Sequence, residues 1–193
     1  MFYSIAFHFA NNIIGHCHID PDQRDIYVYG SELFLSTFLG VISIILFSGL
    51  SGHFFSGLIF LLIFISIRLF SGGFHASTYL RCFILSNLSY FVAFLISCLL
   101  LKIPSVCGFL LLALSDFVIL AFSPIRNDKH PLSEKTYSKN KVIARKLTLF
   151  ESIVITLCYV FTLDRTILSI SSASLFSVAS LMLFEKIKKK GVI

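Results

Sequence analysis

Residues 53 to 70 read HFFSGLIFLLIFISIRLF, a run whose single Asp, Glu, Lys or Arg is Arg68, close to its end. Crossing about 30 Å of hydrocarbon takes about 20 mostly apolar residues, in a range near 17–25. A helix that is apolar on every side has no place on the surface of a soluble domain, so the run predicts a membrane-crossing helix. Working outward, the same test selects residues 33 to 50, 82 to 101, 103 to 122, 147 to 163 and 166 to 184. Three of the six carry no Asp, Glu, Lys or Arg, and the others carry one each: Arg68, Asp116 and Glu151.

Composition agrees. Of 193 residues, 56% are hydrophobic and 13% charged, and the mean hydropathy is +0.89. A soluble domain holds about 25% charged residues, which excludes an ordinary globular protein. The length suits one compact bundle with no separate soluble catalytic domain. The expected fold is all-α: a polytopic membrane protein, a single integral domain over 1–193, with six transmembrane helices. An N-terminal segment, residues 1–25, precedes them. It sets Phe2, Ile5, Ala6, Phe9, Ile13 and Ile14 near helical spacing beside His8, Asn11 and Asn12, as an amphipathic helix lying in the interface does. It lacks a basic leader region and a small-residue cleavage site, and is expected to stay on the mature protein.

The net charge of +6 has its explanation in the bilayer, and nucleic acid is not expected as a partner. Lys and Arg near span ends mark the cytoplasmic side and contact anionic lipid. With both termini cytoplasmic, only Lys102 and Arg165 of the 16 Lys and Arg fall on the outer side. The two longer hydrophilic connections, 71–81 and 123–146, then become cytoplasmic loops, and the chemistry is expected at that face of the cell membrane. The five cysteines are odd in number, lack CxxC spacing and fall mostly in apolar runs, so a disulfide framework is not expected. In His16-Cys17-His18, adjacent residues on a helix point in different directions and no fourth ligand is evident, so no metal is expected. Neither a phosphate-binding loop nor a dinucleotide fingerprint occurs, and no cofactor is called for.

The stretch from Arg68 to Cys82, RLFSGGFHASTYLRC, concentrates unusual residues between the second and third spans. Gly72 and Gly73 permit positive φ and close backbone approach. Ser77 or Thr78 can cap the next helix, which puts Cys82 in or just after its first turn, where the helix N-terminus and Arg81 favour a thiolate. His75 supplies a base that titrates near neutral pH. On one continuous helix His75 and Cys82 would stand about 10.5 Å apart, whereas a working nucleophile–base pair needs roughly 2.6–3.2 Å. The chain must therefore bend between them, at Ala76-Ser77-Thr78. The bland alternative is an interhelical Gly-Gly turn, an interfacial histidine and a packing cysteine.

These residues, Arg68-x-x-Ser71-Gly72-Gly73-x-His75-Ala76-x-Thr78-Tyr79-x-Arg81-Cys82, resemble the core of the accessory gene regulator protein B (AgrB) family of bacterial membrane cysteine peptidases. Length, the polar N-terminus, the six-span pattern and the Pro-containing segment Ser123 to Leu132 are similar too, although His130 stands where the family often has a basic residue before the second proline. The resemblance implies processing of a quorum-sensing propeptide of the AgrD type. Cys82 would attack the peptide bond before the C-terminal tail with His75 as general base, and the acyl-enzyme thioester would pass to a Cys or Ser of the propeptide. The product would be a cyclic thiolactone or lactone autoinducing peptide. The resemblance also implies a homodimer, compatible with the small-residue stretch 169 to 180, which reads as a close helix-packing face.

Three charges lie at or within the spans, where each is costly unless paired or wet. Arg68 can snorkel at the inner end or, by its match to the family's motif, support the site or contact substrate. Asp116 lies about 9 Å deep and Glu151 at a similar level; either carboxylate is expected to pair with Arg68 or orient His75. The basic residues between Arg126 and Lys146 either contact lipid or attract an acidic propeptide tail. Two other classes compete with the enzyme: a small membrane carrier, and a non-catalytic membrane adaptor. Both would tolerate Cys82→Ala, whereas the enzyme would lose turnover.

Overall fold

The computed structural model describes residues 7, 8, 11, 24–72, 79–125 and 133–189. They form six long helices: α1 Arg24–Leu50, α2 Phe54–Ser71, α3 Tyr79–Leu101, α4 Ser105–Phe122, α5 Glu134–Thr162 and α6 Arg165–Lys189, with no strand among the described residues. The all-α expectation holds. Of the N-terminal segment, residues 7, 8 and 11 are helical, and the Arg24 guanidinium sits 4.4 Å from the centre of the Phe7 ring; the rest of 1–23 lies outside the described residues.

Five helices, all but α5, are long and apolar enough to cross a membrane. The expected span at 147–163 is the second half of α5, and Leu147–Thr162 measures only about 24 Å at ~1.5 Å per residue. Glu151 interrupts this stretch, and Arg145 and Lys146 precede it. The expected loop 123–146 is also corrected, because residues 134–146 are the first half of α5, a helix of 29 residues. Ser133 starts it: its side chain accepts from the backbone N–H of Thr136 at 3.2 Å, with Glu134 in the first turn. Good helix formers then carry it forward without a break. In the same way α1 begins at Arg24, nine residues before the apolar run at 33, and α3 begins at Tyr79 instead of 82.

Each helix packs on its chain neighbours, and short links between them make consecutive helices antiparallel. The links at 51–53, 102–104 and 163–164 fall at one end. Leu163 closes α5 in the left-handed conformation, and Asp164 caps α6 by accepting from the backbone N–H of Thr166 at 2.8 Å. Arg165 donates to the carbonyls of Leu100 and Ile103, holding the end of α3. The longer connections, after Ser71 and after Phe122, fall at the other end.

At the centre, α6 packs against α2, α3, α4 and α5. It is full of serines, and Ser169, Ser171, Ser172, Ser174 and Ser177 are all buried. Ser169, Ser174 and Ser177 return their hydroxyls to carbonyls one turn back, at 2.7, 2.6 and 3.0 Å. So satisfied, they act as small residues and let neighbouring helices come close. Phe60, Ile67, Ile119, Leu168 and Met182 fill the space around them and are essentially inaccessible. On the flank, a Cβ on Gly57 would stand 2.3 Å from the hydroxyl of Ser48, so α1 and α2 touch there almost backbone to backbone.

Candidate active site

The end with the longer connections gathers the described part of the 68–82 segment. Arg68 lies in the last turn of α2, with its guanidinium carbon 5.2 Å from the ring centre of Phe64 one turn earlier. Three residues on, Ser71 is fully buried. Gly72 then turns the chain out of the helix at φ 69°, ψ −150°, a region open essentially to glycine alone.

That turn is built against the tail of α4. Beyond Phe122 the chain runs extended through Ser123, which is buried together with Pro124, and at Ile125 the backbone N–H donates to the carbonyl of Ser71 at 3.0 Å. A Cβ on Gly72 would meet the Ile125 carbonyl oxygen at 2.8 Å. The exit of α2 and the exit of α4 are thus stitched together. Lys186 of α6 reaches the same end, its ammonium 3.3 Å from the centre of the Phe122 ring.

Cys82 is the fourth residue of α3 as described and is half-buried. Arg81 beside it is exposed. The Cys82 thiol and the Arg68 guanidinium lie within electrostatic reach of each other. His75, Gly73, and the capping candidates Ser77 and Thr78 lie outside the described residues, as do Arg126, Lys129, His130 and the His16-Cys17-His18 group.

The two intramembrane carboxylates find serine partners. Ser152 of α5 donates to Oδ1 of Asp116 on α4 at 2.9 Å, and Ser66 of α2 donates to Oε1 of Glu151 on α5 at 2.6 Å. Ser66 also lies close to the carbonyls of Leu62 and Ile63, but a hydroxyl has one proton and the carboxylate is the stronger acceptor. Asp116 and Glu151 are within electrostatic reach of each other, so the cluster joins α2, α5 and α4. Ser66 and Arg68, two residues apart on a helix, face different directions. Glu151 is therefore tied to the side of α2 that Arg68 does not occupy. Its Oε2 is buried without a hydrogen-bond partner among the described residues.

Sequence reading missed Ser66, Ser152 and Ile125. The serines carried a usable signal, a hydroxyl inside an apolar run that also has to house a charge. The basic residues Lys135, Lys139, Lys141, Arg145 and Lys146, expected in a loop, stand on the first turns of α5. Among the described residues no three His, Cys, Asp or Glu gather as metal ligands.

The family model described as Accessory gene regulator B matches residues 6–184. Comparison with curated proteins and with solved structures returned no match.

Proposed function

The chain belongs to the accessory gene regulator B family, membrane proteins of quorum-sensing autoinducer processing, and from that premise we propose that it is a cysteine endopeptidase that cuts an AgrD-like propeptide and closes it into a ring. The observation that supports the reading is that Arg68, in the last turn of α2, and Cys82, four residues into α3, lie at the same end of the bundle within electrostatic reach of each other.

In this scheme His75 takes the proton of Cys82, and the thiolate sulfur attacks the carbonyl carbon of the peptide bond before the C-terminal tail. The C–N bond breaks, His75 returns the proton to the departing amine, and the acyl group stays on Cys82 as a thioester. A thiol or hydroxyl within the propeptide then loses its proton to His75 and attacks the same carbon. Cys82 leaves, and a thiolactone or lactone results. Exchange of one thioester for another is nearly neutral in free energy, so ring closure to a thiolactone competes with hydrolysis only where water is kept out. A half-buried sulfur at the membrane surface suits that need. No cofactor takes part. Arg68 supports the site or holds a substrate carboxylate, Gly72 and Gly73 shape the turn, and Asp116 and Glu151 act from the cluster behind it.

The proposed orientation places both termini and the site in the cytoplasm, with the basic start of α5 near the substrate's path, and the working unit is a homodimer. Co-expression of wild type, Cys82→Ser and His75→Ala with an AgrD-like propeptide, followed by mass spectrometry of the peptides, tests the function. Loss of the tail with wild type only is the expected result. Equal processing by all three sinks the catalytic assignment.

A further inference from the structure

The hydrogen bonds of the two carboxylates set the register of α5 against its neighbours: Ser66 of α2 is level with Glu151, and Asp116 of α4 with Ser152. Because α5 runs antiparallel to both, the last residues of α2 and α4, Ser71 and Phe122, come level with Lys146. Residues 134–145 therefore overhang the ends of those two helices, by about 18 Å of helix at ~1.5 Å per residue. The side of α5 turned to the bundle is settled by its buried residues, Ala144, Thr148 and Ile155. At about 100° per residue, the opposite side carries exposed Ile153 and Leu157, flanked by exposed Leu149, Phe150 and Val160. This is the side that lipid covers. Followed toward the start of the helix, the same line runs through Lys146, Lys139 and Lys135, all exposed, and the five residues Lys135, Lys139, Lys146, Ile153 and Leu157 fall within about 20° of it. No Asp or Glu of α5 lies on that line. Lys141 does not lie on it either; it falls on the bundle side and is half-buried.

We propose that this stripe is a docking surface for anionic lipid, its lysines taking the headgroup phosphates of the leaflet at this end of the bundle. The inference stands apart from the peptidase reading. Its ground is continuity: the stripe turns from apolar to basic at Lys146, the level at which α2 and α4 end, so a lipid whose chains lie along Ile153 and Leu157 brings its headgroup to Lys146. A soluble acidic partner gives no reason for lysines to continue the lipid-covered line and for Lys141 to stand off it. The contribution is graded by height. The headgroup layer is about 5–7 Å deep on each side of the hydrocarbon. Lys139 leaves the helix about 10.5 Å beyond Lys146 and reaches back along its flexible stem. Lys135, about 16.5 Å beyond, feels the surface only across more than a Debye length of about 8 Å.

The test uses the full chain, its native cysteines replaced, in phosphatidylcholine vesicles. A bimane fluorophore is attached at Val142→Cys, on the exposed side between Lys139 and Lys146, and for reference at Phe38→Cys on the exposed side of α1. Quenching is compared between phosphatidylglycerol and phosphatidylcholine carrying the same nitroxide near the headgroup end of one chain. The expected result is a preference for phosphatidylglycerol at 142 and none at 38. Lys146→Gln should lower the preference about fivefold, Lys139→Gln should lower it less and Lys135→Gln least, and Lys141→Gln should leave it unchanged. Raising salt from about 0.1 M to 1 M should remove most of it. Equal quenching by the two lipids at 142 overturns the proposal, as does a loss with Lys141→Gln equal to that with Lys146→Gln, which would mean undirected charge. Removal of the preference by millimolar inorganic phosphate at constant ionic strength would assign the lysines to free anions and overturn it too. Lys146-dependent binding of a soluble polyglutamate peptide without any lipid preference would give the surface to an acidic protein partner instead.

Discussion

The hydroxyl of Ser66 donates to Oε1 of Glu151 across 2.6 Å, joining α2 to α5. Hydrogen bonds between helices in a bilayer average about 0.6 kcal/mol in double-mutant cycles and reach roughly 1.7. A cycle of Ser66→Ala and Glu151→Gln, read by unfolding in mixed micelles, is expected to return a coupling in the upper part of that range, because the acceptor is a carboxylate. A coupling near zero would show that the two side chains do not act together.

The close approach of Gly57 to Ser48 makes a sharper stability prediction. Overpacking a filled contact costs typically 1–3 kcal/mol, and the Cβ of Gly57→Ala would stand 2.3 Å from the Ser48 hydroxyl and 2.6 Å from its Cβ. Gly57→Ala should lower the melting temperature, and Ser48→Gly in the same chain should recover most of the loss. Thermal unfolding of the purified single and double variants checks both statements.

Arg68 at the site end separates charge from shape. Arg68→Ala is expected to cut tail removal by roughly 10- to 100-fold, the size of a lost hydrogen bond to a charged group. Arg68→Lys should recover part of it by restoring the cation without the planar fork. Steady-state kinetics with the propeptide decides where Arg68 acts: a rise in KM places it on substrate, and a fall in kcat places it behind Cys82.

Orientation has its own measurement. In a chain with its cysteines replaced, Ser133→Cys is expected to react with a membrane-impermeant maleimide only in inverted vesicles, and Lys102→Cys only in intact cells. The opposite labelling would invert the proposed topology and move the site to the outer face.

The spans were legible because burying charge in hydrocarbon is so costly that a run such as 53 to 70 admits one reading. The candidate segment stood out for a related reason, since Gly-Gly, His75 and Cys82 crowd into a chain otherwise dominated by Leu, Ile and Phe, but Gly73 and His75 lie outside the described residues. The start of α5 was not. Hydropathy ends a span where charges begin, but a helix stops only where its hydrogen bonds do, and the cap at Ser133 lies well before the apolar part. The partners of Asp116 and Glu151 were hidden because serines 36 and 85 residues away are found by packing and not by spacing. The bond from Ile125 to Ser71 is more deeply hidden, because it uses backbone atoms that every residue but proline carries.

The links at 51–53, 102–104 and 163–164 are short and closed by their own hydrogen bonds, among them the N–H of His53 on the Ser48 carbonyl at 2.8 Å and that of Leu163 on the Tyr159 carbonyl at 2.7 Å. A protease needs a stretch of extended chain to thread through its cleft, and an antibody needs a patch that stands clear of its surroundings. That end of the bundle offers neither without unwinding a helix cap. If it is the end that faces out, the protein is nearly invisible to macromolecules outside the cell, and tags or epitopes meant to report on it belong at the opposite end.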